Sequence, residues 1–242
     1  MKKFWEVKAA KNKVGEVYIY GEVVSYKYSD ADTTAKSFKD DLDALGDIDT
    51  LIIYVNSPGG DVKQGQAIHT QIKRRKEKTI AQIDGLAASI AGYITTACDE
   101  VNISSNGLYM IHKPMTYAYG NEDDLARTVE MLKKHTEMMM DGYLEKTGDK
   151  MSREQLASFM ETDSWFDAQQ CIEYGLCDAI GEESAIAACV SEELFAKYKN
   201  TPDKLLQAQT STGSIDEKAI RDQLIAESQA NLQTINHFME VI

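Results

Sequence analysis

The chain has 242 residues, with 39 acidic side chains against 26 basic ones and a formal net charge of −13. That length allows one large domain, or one domain with a tail, and an apolar share of 43% can bury a real core. The acidic balance speaks against nucleic acid, whose phosphates need Lys and Arg, and against anionic membrane surfaces; its plainest meaning is solubility.

The N-terminal residues Met1 to Lys8 carry charges and no apolar run, so they do not read as a signal peptide. Val14 to Val24 is rich in β-branched and aromatic residues and predicts a strand. Ala35, Phe38, Leu42 and Leu45 then fall at helical spacing within a helix from Ala31 to Leu45. Leu51 to Val55 is a continuous apolar run, the pattern of a strand covered on both faces. It ends in the breaker cluster Asn56-Ser57-Pro58-Gly59-Gly60-Asp61. A helix from about Lys63 to Arg75, a strand Thr79 to Ile83 and a short helix from Ser89 to about Ala97 follow. Glu100 to Ile103 and Leu108 to His112 predict two short strands. Strand alternating with helix is the pattern of an α/β domain with a largely parallel sheet.

Met115 to Gly120 looks β-like, and Glu122 to Lys146 predicts a long helix. Its apolar residues, Leu125, Val129, Leu132, Met139 and Tyr143 on one side and Met131 and Met138 on another, point either to a subunit contact or to deep packing in its own core. Ser152, with Gln155 three residues on, caps a helix to Met160. Asp167 fits the cap of a helix Ala168 to Tyr174, stopped by Gly175. Glu183 to Tyr198 also reads as helical. The composition shifts near Asn200. We therefore expect a domain over residues 1–199 and, over 200–242, a polar linker followed by a helical tail. The tail's spacing from Ile225 to Ile242 is a short coiled-coil-like seam or a solvated helix with a weak stripe.

The four cysteines, Cys98, Cys171, Cys177 and Cys189, show no metal-ligand spacing and read as buried free thiols in a reducing compartment. The most apolar run, about Ile83 to Cys98, is too short to span a bilayer. A soluble cytoplasmic protein is expected.

One stretch carries chemistry. In Asp84-Gly85-Leu86-Ala87-Ala88-Ser89-Ile90-Ala91-Gly92 a single serine sits among very small residues, as where something must come close. A serine hydroxyl is a poor nucleophile until a base takes its proton and a third group holds that base. Of the four histidines, His69 and His135 lie within helices and His237 in the tail, whereas His112 ends a strand, where α/β domains face their ligand crevice. Backbone donors for an oxyanion would be the Ile90 N–H, after the serine at a helix start, and the Gly60 N–H, past the Leu51 strand. On residue type alone, Ser89 reads more readily as a packing residue and Pro58-Gly59-Gly60 as an ordinary turn.

Asn56-Ser57-Pro58-Gly59-Gly60, Gly85-Leu86-Ala87-Ala88-Ser89, Met110-Ile111-His112-Lys113-Pro114 and the closing segment Glu173-Tyr174-Gly175-Leu176-Cys177-Asp178-Ala179-Ile180 together resemble the signatures of the Clp protease proteolytic subunit (ClpP) family, in order and with similar spacing from about Val14 to Ile180. The resemblance implies an α/β, crotonase-like ββα spiral with a protruding handle helix, Glu122 to Lys146, by which rings of subunits pair. It implies Ser89 as nucleophile, His112 as general base, and Gly60 and Ile90 as oxyanion donors. The family's acid lies shortly before the closing helix, which points to Asp163; Asp167 is the competitor. No metal or cofactor is called for. The early first strand and the longer tail look more like the Clp-like head maturation proteases of tailed phages and prophages. That implies protein substrates such as capsid or scaffold proteins, a homo-oligomer of stacked rings, and activity without an ATPase. The alternatives are a Clp peptidase subunit that works with an ATPase unfoldase, and a catalytically silent ring or scaffold component.

Overall fold

The computed structural model describes residues 13–25, 34–184, 198, 200 and 201. The chain divides into two units, Met1–Thr201 and Pro202–Ile242. The linker and tail, and residues 185–197 of the helix expected up to Tyr198, lie outside the described residues, as does Cys189.

Seven strands form one sheet, with β1 (Val14–Tyr20), β2 (Thr50–Ser57), β3 (Lys78–Ala88), β4 (Glu100–Ser104) and β7 (Ala179–Gly181) side by side and parallel. The crossovers from β1 to β2, from β2 to β3 and from β3 to β4 are α1 (Ala35–Ala44), α2 (Val62–Lys73) and α3 (Ile90–Thr95). Phe38 and Leu42 of α1, with Ile68 and Ile72 of α2, join Val17, Ile19, Leu51, Ile53 and Val55 in a continuous core. Each such side chain contributes about 2 kcal/mol through its removal from water.

The feature that positions the site is a fork in β3. Its first half, Ile80 to Ile83, pairs with β4. Its second half, Leu86 to Ala88, pairs instead with β5 (Leu108–Ile111), and β5 pairs antiparallel with β6 (Ser164–Asp167). The sheet thus splits, and β5 and β6 are carried to the end of β3. After β5 come α4 (Glu122–Thr147), α5 (Arg153–Glu161) and α6 (Ala168–Glu173). α5 opens on a capping box of Ser152 and Gln155, and α6 on one of Asp167 and Gln170, with Gly175 at φ +75° beyond it. These are the caps read from the sequence.

Several expectations are corrected. β1 stops at Tyr20 because Gly21, at φ +93°, turns the chain so that its N–H reaches the Asn56 carbonyl at 3.1 Å. β2 is not covered on both faces: Leu51, Ile53 and Val55 are buried, but Ile52 and Tyr54 lie on a half-open face where Tyr54 stacks on Tyr18. β3 runs five residues past Ile83, because its end finds a new partner in β5. Met115 to Gly120 forms no strand; no described strand pairs with it, and Tyr117 and Tyr119 are fully exposed. The short strands β6 and β7 were not anticipated. In α4 only Met139, Met140, Tyr143 and Thr147 are buried, while Leu125, Val129 and Met131 stand exposed, so its first half projects and is not packed in its own core.

Candidate active site

Ser89 lies between β3 and α3. Its backbone is at φ +56° and ψ −129°, which a residue with a Cβ adopts only at a cost of about 1–3 kcal/mol. The surroundings hold it there: its N–H donates to the Met110 carbonyl at 2.9 Å, and its carbonyl accepts from the Tyr93 N–H at 3.2 Å and the Tyr143 hydroxyl at 3.3 Å. This sharp strand-to-helix turn presents the hydroxyl in the manner of a nucleophile elbow.

Strand register brings His112 to it. Ala88 pairs with Met110, so Ser89 falls beside Ile111 and His112 follows directly. The Ser89 Oγ lies 2.6 Å from His112 Nε2, a short hydrogen bond between two buried groups. Ile111 pairs antiparallel with Ser164, and one further step of that register sets His112 across from Asp163. Asp163 is buried and held at φ +49°, a second strained residue at the same place. Burial lowers the His112 pKa below the ordinary histidine value, and the Asp163 charge acts in the opposite direction. Asp167 pairs with Leu108 at the far end of the strand and is occupied in capping α6.

The glycine cluster closes the other side. Pairing of Ser57 with Ala87 runs Pro58-Gly59-Gly60 along the end of β3. A Cβ on Gly59 would lie 2.7 Å from the Ala88 carbonyl and 2.8 Å from Ser89 Cβ, and Gly59 sits at φ +92°. Gly60, at φ +143°, lies against the Val23 carbonyl, leaving no room for a side chain. Val23 bridges this loop by accepting from the Asp61 N–H at 2.7 Å and donating to the Gly59 carbonyl at 2.8 Å. Neither bond uses the Gly60 N–H. Ile90 is the first residue of α3, so its N–H has no partner within the helix. The same crowding explains the other small residues: Gly92 makes room for Tyr109, and Gly65 for Ile90.

The chain's match to the family model for the Clp protease spans residues 14–184. The chain belongs to the Clp protease family. It is 32% identical over 149 residues to the "ATP-dependent Clp protease proteolytic subunit" of Lactococcus lactis subsp. cremoris, a match covering 60% of this chain and 74% of that protein. A protein of the same description from Streptococcus uberis is 32% identical over 149 residues, covering 60% and 75% respectively. One from Streptococcus pneumoniae strain Hungary19A-6 is 33% identical over 143 residues, covering 57% and 72%. The α/β fold with its parallel sheet and flanking helices is that of the Clp protease family, as the motifs implied.

His69 fits another role. His69 stacks on Tyr93 with ring centroids 4.4 Å apart, and burial pushes its pKa down to about 4, so it is a neutral packing group. Cys98, Cys171 and Cys177 are buried free thiols, and burial pushes Cys98 up to about 12. No helix among the described residues is long and apolar enough to cross a membrane. One residue at the site went unread in the sequence. The Tyr198 ring meets the edge of His112 at 5.1 Å, and its hydroxyl donates to the Pro58 carbonyl at 2.7 Å. Its signal is a long-range contact across 140 positions, which no local pattern carries.

Proposed function

We propose that this Clp-family chain is a serine endopeptidase whose machinery is Ser89, His112 and Asp163. The observation that carries the reading is the 2.6 Å contact between the Ser89 hydroxyl and His112 Nε2 at the strained end of β3. Ser89 Oγ attacks the scissile carbonyl while His112 Nε2 takes its proton, and the same nitrogen then protonates the leaving amine. The depressed His112 pKa keeps the imidazole neutral near pH 7, the state a general base needs. Asp163, across the strand pair, orients the ring and stabilises the imidazolium as it forms. The Gly60 and Ile90 amides receive the oxyanion. Water releases the acyl group by the same route.

The substrates on this reading are proteins and peptides. The subunits pair through α4 into stacked rings, supported by the exposed Leu125, Val129 and Met131 on a helix that projects from the core. An ATP-independent protease of the head maturation type, working in the cytoplasm on capsid or scaffold proteins, is the first reading. The printed description of the relatives, "ATP-dependent", favours a peptidase subunit with an ATPase partner. Incubation with an unfolded protein substrate, without ATP or an ATPase, separates the two: degradation supports the first, and cleavage of short peptides alone supports the second. For the peptidase reading itself, Ser89→Ala abolishes hydrolysis of a fluorogenic peptide while leaving the particle's size unchanged. Full activity in that variant contradicts it.

A further inference from the structure

The Tyr198 side chain crosses 140 residues to lie on the site. Its ring stands edge-on to His112, with centroids 5.1 Å apart, and edge-on to Trp165 at 6.3 Å. Its hydroxyl donates to the Pro58 carbonyl at 2.7 Å. Two residues on, the Asn200 side-chain amide donates to the Thr162 carbonyl at 2.8 Å, directly before Asp163. The Thr201 hydroxyl reaches back to the Tyr198 carbonyl at 3.4 Å. Tyr198 and Asn200 therefore anchor at two places around the site. One anchor is on the loop of Gly59 and Gly60, and the other is beside the candidate acid.

We infer that this site contains a seat for an aromatic side chain with a hydrogen-bond donor at its far end, framed by Pro58, His112 and Trp165, and that the chain's own Tyr198 fills it as a built-in competitor of substrate. The inference rests on the peptidase reading above. A peptide lying along Pro58-Gly59-Gly60 would need the carbonyl that the Tyr198 hydroxyl now holds, and would meet the phenol ring beside His112. Substrate entry then requires the Tyr198 side chain to leave. It makes two aromatic edge contacts and a hydrogen bond there, individually weak in net terms, so displacement is within reach of an ordinary substrate.

The test measures the second-order rate at which a fluorophosphonate probe labels Ser89 in the full chain. The variants are Tyr198→Ala, Tyr198→Phe and Asn200→Ala, with Ser89→Ala as blank. Loss of the ring raises the rate about tenfold, the equivalent of one lost contact and one lost hydrogen bond. Tyr198→Phe, which keeps the ring and loses the Pro58 bond, gives a smaller rise. Asn200→Ala removes an exposed anchor far from the folding core and raises the rate two- to threefold, about what half of one hydrogen bond implies; it decides the matter if Tyr198→Ala melts early by circular dichroism. Equal or slower labelling in folded Tyr198→Ala and Asn200→Ala overturns the inference and leaves the peptidase reading standing. Absence of labelling in wild type and every variant overturns both.

Discussion

At the residue scale the account turns on which aspartate serves His112. Asp163 acts on the imidazole through its charge, which raises the His112 pKa against the dominant effect of burial. Asp163→Asn removes that charge, so the neutral ring is favoured further and the acid limb of kcat/KM moves to lower pH. The rate at pH 7 falls by a factor of about 10² to 10⁴ through loss of orientation and of imidazolium stabilisation. Asp167→Asn keeps a good cap on α6 and leaves the kinetics unchanged. A pH–rate series on both variants checks this, and equal effects would remove the distinction. If His112 is the base, it acts when neutral, and with its pKa depressed by burial the acid limb lies below the ordinary histidine value of about 6.5.

At the scale of elements, much was readable because its causes are local. Ser152 with Gln155, and Asp167 with Gly175, announce helix ends through hydrogen bonds that span a few residues. The fork in β3 was not readable. Asp84 to Ala88 is a strand only because β5 takes over pairing from β4, and β6 and β7 exist only as partners of β5 and β4. The motifs name Ser89, His112, Gly60 and Ile90, and the structure brings Ser89 and His112 into contact; what sets Asp163 rather than Asp167 near His112 is strand register, which sequence does not display. Two substitutions follow. Gly59→Ala forces a Cβ to 2.7 Å from the Ala88 carbonyl at a backbone φ of +92°, so it destabilises by about 1–3 kcal/mol and suppresses peptide hydrolysis; thermal melts and peptidase assays read both. Ser152→Ala, on the α5 cap away from the site, costs about 1 kcal/mol in a denaturant melt and leaves hydrolysis unchanged.

For the molecule as a whole, the acidic surface and the absence of a spanning helix among the described residues leave the projecting half of α4 as the main apolar exposure on a helix. Leu125, Val129 and Met131 there are unlike an ordinary solvated face. If α4 pairs subunits, Leu125→Asp with Val129→Asp reduces the particle mass by light scattering while leaving the far-ultraviolet circular dichroism unchanged. An unaltered mass would place the subunit contact elsewhere. The central claim is that this Clp-family fold holds Ser89 as a nucleophile activated by His112. Its most direct measurement is mass-spectrometric mapping of the residue modified by a fluorophosphonate probe. The account predicts one adduct, on the peptide containing Ser89, strongly diminished in His112→Ala. An adduct on another residue, or undiminished labelling of Ser89→Ala, would contradict it.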